Sequence, residues 1–262
     1  MNHIKSKTNA LRKWLAGAGI LLFSAIFLYA GYQIVSYWYT ELESEQLSEK
    51  LIEKAVTVPE TPVRESAPVE PTVEMAPIIV DFHALRQENE DIVAWIYCAD
   101  TPIHYPIVQS GDNSYYLRRL LNGNYNTSGT IFLDYRCSPE FTDFNSIIYG
   151  HHMKSGEMFG TLPKYKEQAY YDEHPVMYLL TPEHNYMVKL IAGYITPSDS
   201  GTYSLPKTAE EKKTFLEQAV QKSTFISNVS ASEADIFVTL STCSYEYNNA
   251  RYVVVGKLTE IE

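Results

Sequence analysis

A chain of 262 residues that is 45% hydrophobic and 13% aromatic carries enough apolar material for one large domain with a true core, which excludes a disordered polymer. A net charge of -11 excludes wholesale binding to nucleic acid or anionic lipid. Three cysteines, Cys98, Cys137 and Cys243, with no CxxC pair, exclude a disulfide scaffold and give no zinc-ligand spacing.

The first landmark is an apolar run over residues 15–39, LAGAGILLFSAIFLYAGYQIVSYWY. At about 1.5 Å per helical residue it is long enough to cross a bilayer core of roughly 30 Å. Lys5, Lys7, Arg12 and Lys13 precede it, and Glu41, Glu43, Glu45 and Glu49 follow it. By the positive-inside rule, residues 1–14 are a cytoplasmic tail and everything after Tyr39 lies outside the cell membrane. The run exceeds a signal-peptide h-region, and no small-x-small site closes it, so an uncleaved signal anchor is expected rather than a cleaved leader. Tyr37, Trp38 and Tyr39 fit an interfacial aromatic belt. A buried core helix is the alternative, and the charge asymmetry speaks against it.

Residues 40–77 combine a helix with a spacer. Leu47, Leu51 and Ile52 stand at helical spacing and predict a membrane-proximal helix over 41–55. Pro59, Pro62, Pro68, Pro71 and Pro77, set among glutamates, predict an extended linker that holds a domain away from the membrane.

A globular domain is expected over 78–262. Asp81 is placed to cap a short helix near Phe82–Gln87. Eight strand-like runs follow: DIVAWIYC, IHYPIVQ, GTIFLDYRC, NSIIYGHHM, VMYLLT, YMVKLIAGYIT, DIFVTLSTC and RYVVVGKL. One helix interrupts them over 208–222. Thr208 and Glu211 form its capping box, and Leu216, Ala219 and Val220 form its apolar stripe. Eight short strands with few helices predict a mainly β fold, a barrel or a sandwich.

The chemistry centres on Cys243. A lone cysteine in an apolar strand is most often inert core filling. This one ends its strand beside Ser241, Thr242 and Ser244, where a side chain reaches solvent, and Arg251 opens the next strand across a short loop. A guanidinium at that distance stabilises a thiolate or an oxyanion. The plainer role for Arg251 is a surface ion pair with Glu246. A thiol nucleophile also needs an acid/base partner. His3 falls in the cytoplasmic tail, His83 in the short helix, and His104, His174 and His184 beside proline or acidic residues, where surface positions are expected. In IIYGHHM, Gly150 permits a tight bend, so His151 or His152 can point into a groove; spacing does not choose between them. Adjacent side chains diverge on an extended chain, so a shared metal is not expected.

The combination of TLSTC, the downstream arginine, YGHHMKSGEMFG and the stretch DNSYYLRRLLNGNYNTSGTIFLDYR resembles the class B sortases, membrane-anchored cysteine transpeptidases of Gram-positive bacteria. The resemblance spans roughly residues 78–262. It implies a closed eight-stranded β-barrel with N-terminal helices and one helix between the sixth and seventh strands. It also implies Cys243 as nucleophile, His151 as the catalytic histidine, and Arg251 as the residue that orients substrate and supports the oxyanion. Asn113 and Ser241 would line the substrate groove. No cofactor or metal is implied. The implied partners are a secreted protein with a C-terminal sorting signal, cleaved after threonine through a thioacyl-enzyme, and an amine of a peptidoglycan precursor. A membrane-anchored cysteine peptidase that mainly hydrolyses would use the same residues. A tethered binding module would not need all three. NPQTN-like and (S/P)PxTG-like motifs both remain open as substrate.

Overall fold

A computed structural model of the chain describes residues 2–59 and 75–262, with side chains from residue 14 onward. Most of the proline-rich linker, and the basic side chains that precede the apolar run, lie outside the described residues. The chain divides into two compact units, residues 1–46 and 47–262.

The first unit is helical, within α1 (Asn2–Ala55). From Trp14 onward this helix is long and apolar enough to cross a membrane, and none of its most apolar window is buried within the protein. Phe23, Phe27 and Trp38 stand exposed. A helix that is apolar all round and uncovered by protein is suited to hydrocarbon, not to a domain core.

The second unit begins in the last turns of α1, where Leu51 and Ala55 are buried. Their neighbours are β1 (Val56–Thr57), which pairs antiparallel with β2 (Ile79–Val80), and α2 (Phe82–Glu88). Asp81 caps α2 as expected, accepting from the Ala84 amide at 2.9 Å.

Eight strands then close the barrel: β3 (Ile92–Tyr97), β4 (His104–Val108), β5 (Phe132–Leu133), β6 (Asn145–Tyr149), β7 (Val176–Leu180), β8 (Asn185–Pro197), β9 (Phe237–Cys243) and β10 (Ala250–Ile261). Their order around the barrel is β10-β8-β7-β3-β4-β5-β6-β9. All neighbours are antiparallel except β4 with β5 and β6 with β9. Closure removes the sheet edges that would otherwise invite strand addition. Two helices interrupt the strands. The short α3 (Gln168–Glu173), before β7, has no signal in the sequence; α4 (Ala209–Lys222) falls between the sixth and seventh barrel strands. Thr208 and Glu211 form the capping box reciprocally.

Alternation along the strands sorts the side chains. Val238, Leu240, Tyr252 and Val254 face the barrel core. Phe237, Val253 and Val255 face outward onto Phe215, Leu216 and Ala219 of α4. By the same period of two, Ser241, Cys243 and Arg251 lie on the outward face. On the opposite side of the barrel, Trp95 and Ile92 pack with Leu51, Ala55 and Leu85. His104, expected at the surface, is instead half-buried edge-on against Trp95 and Tyr97, and this burial lowers its pKa.

Leu51 is only 2% exposed, so the last turns of α1 are part of the packed unit. Leu51→Ala is expected to destabilise the barrel unit by about 2–5 kcal/mol, as large-to-small core changes do. Urea unfolding of the full chain in mild detergent, followed by tryptophan fluorescence, checks this; an unchanged midpoint would show that these turns do not support the barrel.

Candidate active site

Two ladders converge on one rim of the barrel. In the parallel β6–β9 pair, Tyr149 stands opposite Ser241, and the Gly150 amide donates to the Ser241 carbonyl at 3.0 Å. Parallel strands end on the same side, so the residues just past Tyr149 emerge level with Cys243. In the antiparallel β9–β10 pair, Cys243 stands opposite Arg251. The Ser244 amide donates to the Ala250 carbonyl at 2.9 Å, which makes Cys243–Arg251 the non-hydrogen-bonded pair. In such a pair side chains come closest. His151, Cys243 and Arg251 therefore stand abreast, although the sequence scatters them.

All five residues singled out in the sequence (Asn113, His151, Ser241, Cys243 and Arg251) line one open cleft of about 240 Å³. Cys243 is half-buried at its edge. The other two thiols are not available there. Cys98 and Cys137 are 1% and 4% exposed, and burial raises both, Cys137 to about 11.

The two histidines are held apart by different carbonyls. His151 Nε2 lies 2.7 Å from the Leu117 carbonyl oxygen, and His152 Nδ1 lies 2.8 Å from the Cys243 carbonyl oxygen. A carbonyl only accepts, so each of those nitrogens carries the hydrogen. His151 is left with Nδ1 free for proton exchange. Two glycines make this placement possible. A Cβ on Gly129, whose φ is +58°, would sit 2.6 Å from the Leu117 oxygen, and one on Gly150 would sit 2.6 Å from the Phe159 ring. Neither backbone nor buried ring yields easily, so both positions require glycine.

Arg251 donates Nη1–H to the adjacent Ala250 carbonyl at 3.0 Å. Among the described residues it forms no ion pair, and Glu246, its expected surface partner, is bound instead by Lys166 and Ser244. Most of the guanidinium fork is thus free to face the cleft.

Beneath the cleft lies a group that the sequence reading passed over. The Asp134 carboxylate is fully buried at the end of β5. It accepts from Asn113 Nδ2 at 3.0 Å, Tyr149 Oη at 3.0 Å, and Arg136 Nε and Nη2 at 2.8 Å each. Burial opposes its charge, but the bonds from Arg136, Asn113 and Tyr149 outweigh it and hold its pKa below the usual range. Asn113 is locked at both ends, since its Oδ1 also accepts from the Tyr135 amide at 3.0 Å. Tyr203 completes the floor: its hydroxyl bonds Ser241 Oγ at 2.9 Å and its ring stacks on Tyr149. Asp134 was visible in GTIFLDYR as an acidic residue in an otherwise apolar run, the one signal that could have marked it.

Comparison with known proteins gives concordant matches. The family model described as Sortase domain matches residues 96–259. Sortase B of Listeria monocytogenes is 40% identical over 182 residues, covering 68% of this chain and 74% of the relative. Sortase B of Staphylococcus aureus is 28% identical over 254 residues, covering 96% of this chain and 99% of the relative. Among solved structures, sortase B from B. anthracis superposes with a TM-score of 0.68 at 33% identity, covering 87% of this chain and 99% of that one. A Staphylococcus aureus sortase B–substrate complex superposes with a TM-score of 0.66 at 29% identity, covering 69% and 85%.

Two outcomes are expected from the site's electrostatics. A thiol-alkylating reagent applied to the native protein at pH 8 should modify Cys243 and spare Cys98 and Cys137, whose burial disfavours the thiolate; mass spectrometry of the digest reads it. Asp134→Asn should destabilise the protein at neutral pH. Because the folded pKa of Asp134 is depressed, its contribution is fully present above the unfolded value of about 4 and is lost as pH falls through the folded value. Urea midpoints of wild type and variant should therefore differ at pH 7 and approach each other at pH 3.

Proposed function

The chain belongs to the sortase family of cysteine transpeptidases, within its class B branch, and from that premise we propose that Cys243, His151 and Arg251 carry the transfer of a secreted protein's sorting signal to a cell-wall amine. The single observation behind this reading is the alignment of the three side chains at the ends of β6 and β9 and the start of β10, on one cleft.

In the first half-reaction the Cys243 thiolate attacks the carbonyl carbon of the threonine in the sorting motif. The tetrahedral oxyanion is met by free donors of Arg251, in a site already shaped for it. His151, fixed by the Leu117 carbonyl through Nε2–H, holds on Nδ1 the proton it has taken from the Cys243 thiol and gives it to the leaving nitrogen. The C–N bond then breaks and a thioester forms. In the second half-reaction an acceptor amine attacks the thioester, His151 Nδ1 takes its proton, the C–S bond breaks and the thiolate is restored. Asn113, held on Asp134, presents one remaining N–H to the cleft, so it suits a substrate carbonyl. Ser241 lines the same cleft, its hydroxyl bonded to that of Tyr203.

A sorting signal as substrate is supported by the substrate complex of the Staphylococcus aureus relative, and a triglycine-bound structure of sortase B is consistent with an amine acceptor. The apolar helix supports a membrane anchor, and the basic residues before it and glutamates after it favour a catalytic unit outside the cell. There the translocated substrate and the wall precursor meet the enzyme at high effective concentration.

The test is a panel of sorting peptides, NPQTN-like and (S/P)PxTG-like, offered with and without an amine acceptor. Cleavage after threonine with transfer to the amine is expected. Release of free acid alone, whatever the amine supply, would make the enzyme a hydrolase. Cys243→Ala should form no thioacyl adduct. His151→Ala is expected to lower kcat by about 100-fold or more, as loss of a general acid–base does. Arg251→Lys should also fall well below wild type, since a point charge does not replace the fork.

A further inference from the structure

We propose that His152, the neighbour of the catalytic histidine, is a positioning residue that clamps the backbone of the nucleophile. The proposal rests on Cys243 being the nucleophile, as argued above. The β6–β9 ladder makes its last backbone bond from Gly150 N–H to the Ser241 carbonyl. In a parallel ladder the next carbonyl to be bonded is two residues on, that of Cys243, and its donor would be the amide of residue 152. The chain has left the sheet by then: the Phe159 amide donates to the His151 carbonyl, and His152 forms an isolated bridge with Met158. The side chain of His152 supplies the missing donor, with Nδ1 at 2.8 Å from the Cys243 oxygen across 91 residues of sequence.

The consequence concerns the peptide unit that joins Cys243 to Ser244. Its carbonyl is held by His152 and its N–H by the Ala250 carbonyl at 2.9 Å. A peptide plane bonded at both ends cannot rotate about the Cα of Cys243, so the backbone at Cys243, and with it the Cα–Cβ bond from which the thiol hangs, is set opposite Arg251 before substrate arrives. The His152 ring also lies against Tyr245 in the β9–β10 loop, with centroids 5.1 Å apart, which holds the imidazole over that carbonyl. His151 and His152 thus divide the labour: one carries the proton, and the other holds the backbone that bears the thiol without exchanging its own proton.

The experiment uses the full chain in detergent with 15N-labelled histidine. At a pH where both imidazoles are neutral, His152 should be the Nδ1–H tautomer and His151 the Nε2–H tautomer. His152→Ala should speed amide exchange at Ser244 and lower kcat, each about tenfold, the scale set by one lost hydrogen bond, with KM nearly unchanged. His152→Asn keeps a donor near the Nδ1 position and should restore both to within about threefold, with the pH–rate profile unaltered. An Nε2–H tautomer at His152, unchanged exchange and turnover in His152→Ala, or no rescue by asparagine would each overturn the proposal. If wild type turned over no sorting peptide, the functional reading would fall, while tautomer and exchange would still decide the role of His152.

Discussion

The active rim depends on the parallel pairing of β6 with β9. Antiparallel hairpins bring together residues close in sequence, and Cys243 and Arg251 need nothing more. A histidine that follows the end of its strand joins them here because that strand runs alongside β9 in the same direction and ends at the same rim. Such a pairing cannot be made by a turn; it needs a long crossover. Here the crossover includes α3, β7, β8 and α4. Much of the chain between His151 and Cys243 therefore serves to return β9 to the side of β6 and to close the barrel around it.

That constraint also explains why the cleft sits where it does. The outward face of β9 and β10 is covered by α4 near Phe237, Val253 and Val255, and left open where Cys243 and Arg251 emerge. The apolar half of each strand is consumed in packing, and its polar end is left for chemistry. The fully buried Asp134 is a cost at this site, because an ionised carboxylate is stable there only while every partner stays in place. Its partners include Asn113 and Tyr149, which face the cleft. The ion pair with Arg136 thus joins the rigidity of the floor to the stability of the fold.

The strands were legible because alternation and β-branched residues mark them, and α2 and α4 were legible through the Asp81 cap and the Thr208–Glu211 box. The register of Cys243 against Arg251 was legible because a short loop joins them. The β6–β9 pairing was not, since no local signal records a contact across so much chain. Nor was the division between His151 and His152. Both are adjacent imidazoles after a glycine, and what separates them is two backbone carbonyls, Leu117 and Cys243, which carry no side-chain signature. Family resemblance implied His151; of the two, His151 lines the cleft while His152 is bonded to the Cys243 carbonyl. Asp134 was hidden for another reason: a carboxylate at the end of an apolar run looks like a strand terminus until its four side-chain bonds are seen.

The same logic bears on why this thiol alone is suited to reaction. Cys98, Cys137 and Cys243 are chemically alike, and all three stand at or just beyond the end of a strand-like run. Burial raises the first two and disfavours their thiolates. Cys243 differs in facing outward, opposite a guanidinium that has no carboxylate partner among the described residues. An arginine already neutralised by Glu246 would have little field left to offer an oxyanion. Glu246, the acidic residue of the loop between Cys243 and Arg251, is held instead by Lys166 and Ser244.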